Sequence, residues 1–184
     1  MPVSERAADI GITIDMKSAA NPGRSEDAAA DAAAAIDIRE AAAGDLAEIV
    51  ALDGRITGFT RTGFWTDLFG RRRTSESLCI LVATHAGRIV GYALGEVRAW
   101  PVRAPACGWL YAIGVDERHR LRKAASALLT ELIARFRNRG VGVVRTMIDV
   151  DDHLLMSFLR SFGMTAGPFV ELELTTAAGS GEQP

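Results

Sequence analysis

The chain has 184 residues, of which 48% are apolar and 24% are charged, and its formal net charge at pH 7 is −2. This length favours one globular domain, and the composition is that of an ordinary soluble protein. The small net charge excludes a general attraction to nucleic acid or anionic membrane, so any anion site must be local. No apolar run reaches the roughly 18 residues of a membrane span, and the N-terminus lacks a signal-peptide pattern, so we expect a cytoplasmic protein.

The two ends of the chain differ in composition from its middle. Residues 1–35 are rich in Ala, Asp and Ser and contain no aromatic residue, so we expect a mostly disordered arm. A short polar tail is expected at 176–184, which leaves 36–175 as the folded domain. Cys79 and Cys107 belong to no CxxC motif or Cys/His cluster, so we expect two buried thiols and no metal.

The predicted elements follow the order β-α-α-β-β-β-α-β-α-β. They are a strand at 36–39, a helix after Asp45, a short helix at 58–69, strands at 78–83, 89–97 and 109–115, a long helix at 120–139, a strand at 141–150, a helix after Asp152 and a last strand at 170–174. Hairpins join the first strands and helices join the later ones. This order predicts an α/β fold with a mixed sheet of six to seven strands and helices on both faces.

Several residues mark the expected ends of these elements. Asp45 and Asp152 are candidates to cap the helices that follow them. Gly140 and Gly163 are placed to end the third and fourth helices. His85 lies in the turn of the first hairpin, where we expect it to face solvent.

The junction between the strand ending at Val115 and the long helix is the segment that indicates chemistry. Free backbone N–H groups and the positive end of the helix dipole meet at such a junction, and together they can bind an anion. Four cations lie within six residues, namely Arg118, Arg120, Arg122 and Lys123, and Ala125 is small enough to admit a phosphate. These features indicate a phosphate or pyrophosphate cradle, although a solvated basic face before an ordinary helix explains the same charges.

Four segments together resemble the GNAT superfamily of N-acetyltransferases. The coenzyme A motif of that family, Val-x-x-x-x-(Gln/Arg)-x-x-Gly-x-(Gly/Ala), is matched by Val115, Arg120 and Ala125, and the paired leucines of the family's helix are present at 128–129. The segment 87–92 is similar to the family's G-x-x-V-G hairpin, and 158–164 resembles its F-Y-x-x-x-G-F segment. The resemblance spans 36–174 and implies the GNAT fold, with a sheet that splays open.

The resemblance also implies where acetyl-CoA, the co-substrate, would bind. The acyl-CoA would lie between the strand ending at Val115 and the strand at 141–150. Its pantetheine would run along Ile113, Gly114 and Val115 like an added strand. The residues implied for the pyrophosphate are Arg120, Leu121, Arg122, Lys123, Ala124 and Ala125. The acceptor would be an amine of a protein or a small molecule, entering from the opposite side.

Two residues depart from the family pattern. Lys123 stands where the family has glycine, and its side chain could crowd the pyrophosphate or replace a lost contact with a charge. Leu159 stands where many members have the tyrosine that protonates the leaving thiolate. Two hypotheses therefore remain: an active N-acyltransferase, or a GNAT-fold module that senses CoA or binds a protein.

The candidate acid and base are Tyr111 and Glu96. Tyr111 lies on the strand that ends at Val115, and strict alternation would place Tyr111, Ile113 and Val115 on one face, with the phenol in the cleft. Glu96 lies near the end of the preceding strand and could accept a proton through a water. The alternatives are an aromatic strand residue that packs and an exposed carboxylate.

The acceptor pocket is expected between the first two strands, as in the family. Its candidate residues are Phe59, Trp65 and Trp100, with Arg71, Arg72 and Arg73 as a basic rim. Aromatic core packing and a solvated basic end are the alternative interpretation. The last strand could line this pocket or pair with a second subunit in a homodimer.

Overall fold

A computed structural model gives the fold of residues 35–99 and 104–174, and for residues 120–122 it describes the backbone alone. The strands are β1 (Asp37–Glu40), β2 (Leu78–His85), β3 (Arg88–Arg98), β4 (Cys107–Val115) and β5 (Val144–Arg145). The helices are α1 (Leu46–Thr57), α2 (Thr62–Arg72), α3 (Ala124–Asn138) and α4 (His153–Ser161). Apart from residue 35, the predicted arm lies outside the described residues, and so does the predicted tail at 176–184.

The strands form one mixed sheet in the order β1-β2-β3-β4-β5. The first four strands are antiparallel to their neighbours, and β5 runs parallel to β4. Antiparallel neighbours can follow one another through short connections, whereas the parallel pair needs the crossover that α3 provides. The α/β class and the mixed sheet predicted from the sequence are confirmed.

Helices cover both faces of the sheet. On one face, α3 and α4 contribute to the larger apolar cluster, which includes Leu128, Leu132, Phe136 and Leu155. On the other face, α1 and α2 contribute Ile49, Leu52, Trp65 and Leu68 to a second cluster. The alternation of the central strands supplies both clusters, since successive side chains point to opposite faces.

Close packing of α3 on the sheet depends on a glycine in β3. A Cβ built on Gly95 would lie 2.7 Å from the ring of Phe136 and 2.8 Å from the carbonyl oxygen of Trp109. Both distances are shorter than real carbon contacts allow. Glycine at this position therefore lets the aromatic ring of α3 rest directly on the backbone of the sheet.

The expected helix ends are largely as the sequence predicts. Gly140 and Gly163 follow α3 and α4 in the left-handed region, with φ of 75° and 84°. The carboxylate of Asp152 accepts the N–H of Leu155 at 2.9 Å and caps α4. Asp45 stands before α1, but its carboxylate binds the Ala42 N–H and the Arg39 guanidinium, both at 2.6 Å, and makes no cap bond to the helix.

Three predicted elements differ markedly from the structure. The long helix begins at Ala124, since 117–122 form a 3-10 helix and Lys123 leaves the helical region with φ of 60°. The strand expected at 141–150 is reduced to β5, and just beyond it the Thr146 hydroxyl donates to the Leu110 carbonyl at 3.0 Å. The segment 170–174 forms no strand, so the described residues contain five strands instead of six or seven.

The segment 170–174 pairs with no strand among the residues that the structure describes. Its three apolar side chains are Val170, Leu172 and Leu174, which are 85%, 91% and 85% exposed.

His85 was expected to face solvent but is the last residue of β2 and only 2% exposed. Its imidazole packs edge-on against His119, with ring centroids 5.2 Å apart.

Candidate active site

The second edge of β4 is open over half of its length. Along its first edge, β4 pairs with β3 from Cys107 to Val115. Along the second edge, only Gly108 and Trp109 pair with β5, so the stretch 111–115 has no strand partner within 35–99 and 104–174. An open edge presents backbone N–H and C=O groups to an extended ligand.

A β-bulge sits at the start of this open edge. Leu94 pairs with Ala112 and Gly95 pairs with Leu110, which leaves Tyr111 as an extra residue in β4. The bulge breaks the alternation of the strand. Tyr111 packs with the cluster of α1 and α2, whereas Ile113 and Val115 belong to the cluster of α3 and α4. The expectation that all three share one face is therefore wrong.

The bulge brings Tyr111 to Glu96, so the structure places the two candidates for acid and base in contact. The Tyr111 hydroxyl donates to Oε2 of Glu96 at 3.1 Å, and Glu96 is only 7% exposed. Burial raises the pKa of the Tyr111 phenol, and the Glu96 carboxylate raises it further, against the opposing effect of Arg98. The phenol therefore keeps its proton at neutral pH.

Three further donors surround the same carboxylate and phenol. Arg71 donates to Oε1 of Glu96 at 3.0 Å, and the Ser77 hydroxyl lies 3.3 Å from that oxygen. Arg98 donates to the Tyr111 hydroxyl at 3.0 Å. Both guanidinium groups are about half exposed, at 55% and 53%, so they lie at the rim of the site.

These groups border a cavity of about 170 Å³ between α2, β3 and β4. It is lined by Arg61, Phe64, Leu68, Arg71, Leu94, Glu96, Arg98, Tyr111 and Ala112. The floor is apolar, and the charged groups lie around it. Ligand sites commonly combine an apolar wall with a few polar groups, although this cavity is small beside the usual range of about 300–1,000 Å³.

A buried carboxylate holds the helices behind the cavity. Asp53 of α1 is 0% exposed and accepts hydrogen bonds from Arg61 at 2.7 and 2.9 Å, Tyr92 at 2.6 Å and Trp65 at 2.9 Å. Burial pulls the pKa of Asp53 upward, but the hydrogen bonds from Arg61, Tyr92 and Trp65 outweigh it and the pKa falls below its usual range. The carboxylate is therefore ionised at neutral pH.

Two of the three residues predicted for the acceptor pocket do not line the cavity, and the third lies outside the described residues. Trp65 is 0% exposed and lies in the core, because its indole N–H is committed to Asp53. Phe59 is 58% exposed in the α1–α2 connection and does not line the cavity. Trp100 lies outside the described residues. Of the basic rim, Arg71 lines the cavity, whereas Arg72 pairs with Glu40 at 3.0 Å.

The predicted phosphate cradle lies where β4 passes into α3. Arg118 turns back to the Asp116 carboxylate, at 3.2 Å, and Arg55 approaches the same carboxylate at 3.4 Å. Arg118 thus pairs with Asp116 while its side chain stays 77% exposed. Lys123 is exposed and adopts the left-handed conformation of the glycine that the family has there, and the N–H groups that begin α3 follow it. The side chains of Arg120, Leu121 and Arg122 lie outside the description.

The remaining predicted cofactor residues form the floor of this junction. Ile113 and Ala124 are 0% exposed, and Val115 is 6% exposed. Gly114 cannot carry a side chain, since a Cβ there would lie 2.8 Å from the ring of Tyr92. Ala125 is partly buried against the α3 cluster. Because the side chains of Ile113, Val115 and Ala124 are buried, these residues can offer a ligand chiefly their backbone groups.

Sequence reasoning missed the Asp53 network and the role of Arg98 at Tyr111. A signal for the first was present: Asp53 directly follows Leu52, at a position where the apolar stripe of α1 faces the core.

No helix in the described part of the chain has the length and apolar character needed to cross a membrane. Within 35–99 and 104–174, no three His, Cys, Asp or Glu side chains cluster as metal ligands would.

Comparisons with known proteins agree with this architecture. The model of the acetyltransferase (GNAT) family matches residues 46–164. The aminoglycoside N-acetyltransferase AAC(6')-Iy, solved with a CoA-containing bisubstrate analogue, superposes with a TM-score of 0.68 at 17% identity, over 77% of this chain and 98% of that one. Arabidopsis thaliana glucosamine-6-phosphate N-acetyltransferase gives a TM-score of 0.61 at 18% identity, over 77% and 99%.

A ribosomal-protein-alanine N-acetyltransferase from Brucella melitensis gives a TM-score of 0.64 at 17% identity, over 77% of this chain and 99% of that one. No curated protein sequence matches the chain significantly. At these identities the solved structures establish the fold alone. The family model spans more than half of the 184 residues, and the chain belongs to the GNAT family of acetyltransferases.

Proposed function

We propose that this chain transfers an acetyl group from acetyl-CoA directly to a primary amine, with no acyl-enzyme intermediate. One observation carries the proposal: Tyr111 sits at the bulge where the open edge of β4 begins, and its hydroxyl lies 3.1 Å from Glu96. An extended ligand on the open edge and an amine in the cavity would meet at that bulge. Alignment of the two reactants supplies much of the rate in such a reaction.

The open edge and the start of α3 suit the two halves of CoA. Backbone groups of Ile113, Gly114 and Val115 would bind the pantetheine as a neighbouring strand does. The N–H groups of 121–125 would bind the pyrophosphate, and those of 124 and 125 lie at the positive end of the 15-residue helix α3. The family match and the CoA-containing neighbour support this assignment.

In this reaction the acceptor nitrogen must lose two protons, and the sulfur of CoA must gain one. An alkylammonium first gives up a proton to become a nucleophile, and its nitrogen then attacks the thioester carbonyl. As the new C–N bond forms and the C–S bond breaks, the nitrogen loses a second proton and the thiolate gains one. Glu96 would accept a proton from the nitrogen, and Tyr111 would give one to sulfur and recover it from Glu96 through their hydrogen bond. One proton leaves to solvent.

The protonated state of Tyr111 fits the role of general acid. Its raised pKa keeps the phenol protonated through the neutral range. Leu159 cannot replace it, because it is only 3% exposed and packs in the core. Tyr111 would therefore do, from β4, the work that a tyrosine on the last helix does in many family members.

A second candidate function has its own supporting observation. Lys123 places a long side chain at the predicted pyrophosphate site, and its left-handed backbone carries a steric cost that glycine would avoid. A chain that has lost CoA chemistry could keep this fold as a module that senses CoA or binds a protein. The Glu96–Tyr111 pair favours the enzyme, since a binding module has no need of it.

Initial rates of CoA release with a panel of primary amines test the proposal. Tyr111→Phe and Glu96→Gln should each lower turnover by about 100-fold or more, the usual contribution of a general acid or base. Both variants should bind acetyl-CoA as the unchanged protein does. Asp67→Asn removes an exposed carboxylate from α2 and serves as the matched control. Full activity of Tyr111→Phe would contradict the assignment of this residue.

A further inference from the structure

The charges of the cavity distinguish between classes of acceptor. Arg61 is neutralised by Asp53, at 2.7 Å, and its side chain is only 9% exposed. Arg71 and Arg98 remain at the rim, and a single carboxylate, Glu96, faces both of them. The cavity lining therefore carries an excess of one positive charge.

The excess charge grows along the same face of the sheet. Glu96 pairs with Trp109 across β3 and β4, and Trp109 pairs with Arg145 across β4 and β5. Residues that are direct partners on neighbouring strands point to the same face, so the three side chains form a row. Glu96 lies on the face of the sheet that α1 and α2 cover, where the cavity is also found. Arg145 therefore adds a further cation to this face.

Two donors in this row have no acceptor among the described residues. The Trp109 indole Nε1 and the Arg145 Nη1 are buried and have no hydrogen-bond partner among the residues that the structure describes. Arg145 lies instead over the ring of Phe169, with its guanidinium carbon 5.1 Å from the ring centroid. Buried donors are nearly always satisfied in folded proteins, so unpaired ones call for a group that completes them.

We infer that the acceptor of this enzyme is a small amine that also carries an anionic group, a carboxylate or a phosphate. This inference rests on the proposed function, because it describes the amine that occupies the same cavity. Planar guanidinium groups bind carboxylate and phosphate oxygens through paired, charge-assisted hydrogen bonds. The half-exposed Arg71 and Arg98 would hold the anionic end, and Arg145 adds attraction along the row. The cavity of about 170 Å³ leaves room for a small head group only.

The same charges disfavour a polycationic acceptor. A second ammonium group would approach two guanidinium groups with one carboxylate to offset them, and like charges at close range repel strongly in a partly desolvated site. A family match alone does not predict the acceptor, because one fold can serve many substrates. The preference against a polycationic amine comes from the charges of this cavity.

Three amines of equal chain length isolate the charge at the far end. They are β-alanine, aminopropanol and diaminopropane, which carry a negative, a neutral and a positive group respectively. A fourth amine, aminopropylphosphonate, separates a phosphate-like group from a carboxylate. Each is titrated into the protein saturated with CoA, with binding followed by ligand-observed NMR, and each is then assayed for acetylation with acetyl-CoA.

We expect at least tenfold tighter binding and a tenfold higher kcat/KM for β-alanine or the phosphonate than for aminopropanol, and the weakest values for diaminopropane. Arg71→Gln and Arg145→Gln should each reduce the preference for the anionic amine over aminopropanol. The ratio is the useful quantity, since any effect of Arg71 on Glu96 is common to both amines. Arg137→Gln, an exposed arginine on α3, is the control and should leave the ratio unchanged.

The outcomes separate this inference from the proposed function. Acetylation of aminopropanol or diaminopropane at rates equal to or above those of the anionic amines would overturn the inference and leave the acetyltransferase intact. An unchanged ratio in Arg71→Gln and Arg145→Gln would also overturn it. Absence of CoA binding and of any acetylation would instead refute the proposed function. Binding of CoA together with no binding of either anionic amine at millimolar concentration contradicts the inference directly.

Discussion

Lys123 has backbone angles that disfavour side chains, with φ of 60° and ψ of 18°. A residue other than glycine loses roughly 1–2 kcal/mol in the left-handed region. Glycine avoids this cost, but it gives the unfolded chain about 0.4–1 kcal/mol more conformational freedom. Because Lys123 stands at the N-cap position before Ala124, glycine there does not interrupt the helix.

Lys123→Gly should therefore stabilise the protein by about 0.5–1 kcal/mol, which corresponds to a rise of about 1–4 °C in the thermal midpoint for a domain of this size. Thermal unfolding followed by circular dichroism measures the change. Lys123→Ala is the matched control, since alanine removes the ammonium and keeps the steric cost, and its midpoint should not rise. A midpoint for Lys123→Gly at or below that of Lys123→Ala would show that the backbone of Lys123 carries no steric cost.

Three further predictions concern the core and the cradle. Asp53→Asn should lower the free energy of unfolding in urea by about 3–5 kcal/mol, because the buried Arg61 loses the charge of Asp53. The pKa of Asp53 is lowered in the folded state, so the stability that its carboxylate contributes should be present above about pH 4. That stability should be lost as the pH falls below this value. Burial raises the pKa of the Cys79 thiol to about 11, so this cysteine should resist thiol reagents in the native protein and react once the protein is unfolded. Acetyl-CoA titrations of Lys123→Gly and Lys123→Ala distinguish two roles of the lysine. Tighter binding of acetyl-CoA by both variants would mean that the side chain obstructs the cradle. Weaker binding by both variants would mean that the ammonium group binds phosphate.

The sequence carries much of the fold because its local signals agree with the packing. The hairpin of β2 and β3 follows from two apolar runs around a glycine turn, with Gly87 at φ of 77°. The apolar stripe of α3 is buried as its spacing predicts, at Leu128, Leu129, Leu132 and Phe136. The cap at Asp152 depends on a residue and its neighbour three positions later, which makes it a local feature.

The site itself depends on features that are not local. The bulge at Tyr111 arises from a register shift between β3 and β4, and no pattern within one strand reveals it. The ladder between β4 and β5 ends at Arg145, and the Thr146 hydroxyl then bonds to the carbonyl of Leu110, which lies 36 residues earlier in the chain. Trp65 has the amphipathic character of a pocket residue, and only the position of Asp53 shows that its N–H is used in the core.

We propose that the open edge of β4 and the start of α3 bind acyl-CoA next to the Glu96–Tyr111 pair. Isothermal titration of the full chain with acetyl-CoA tests it most directly. We expect one site per chain with a micromolar dissociation constant, and the same constant in Tyr111→Phe, because this substitution removes the acid and leaves the β4 backbone unchanged. Absence of binding up to millimolar acetyl-CoA would contradict the claim and favour a module that acts on another protein.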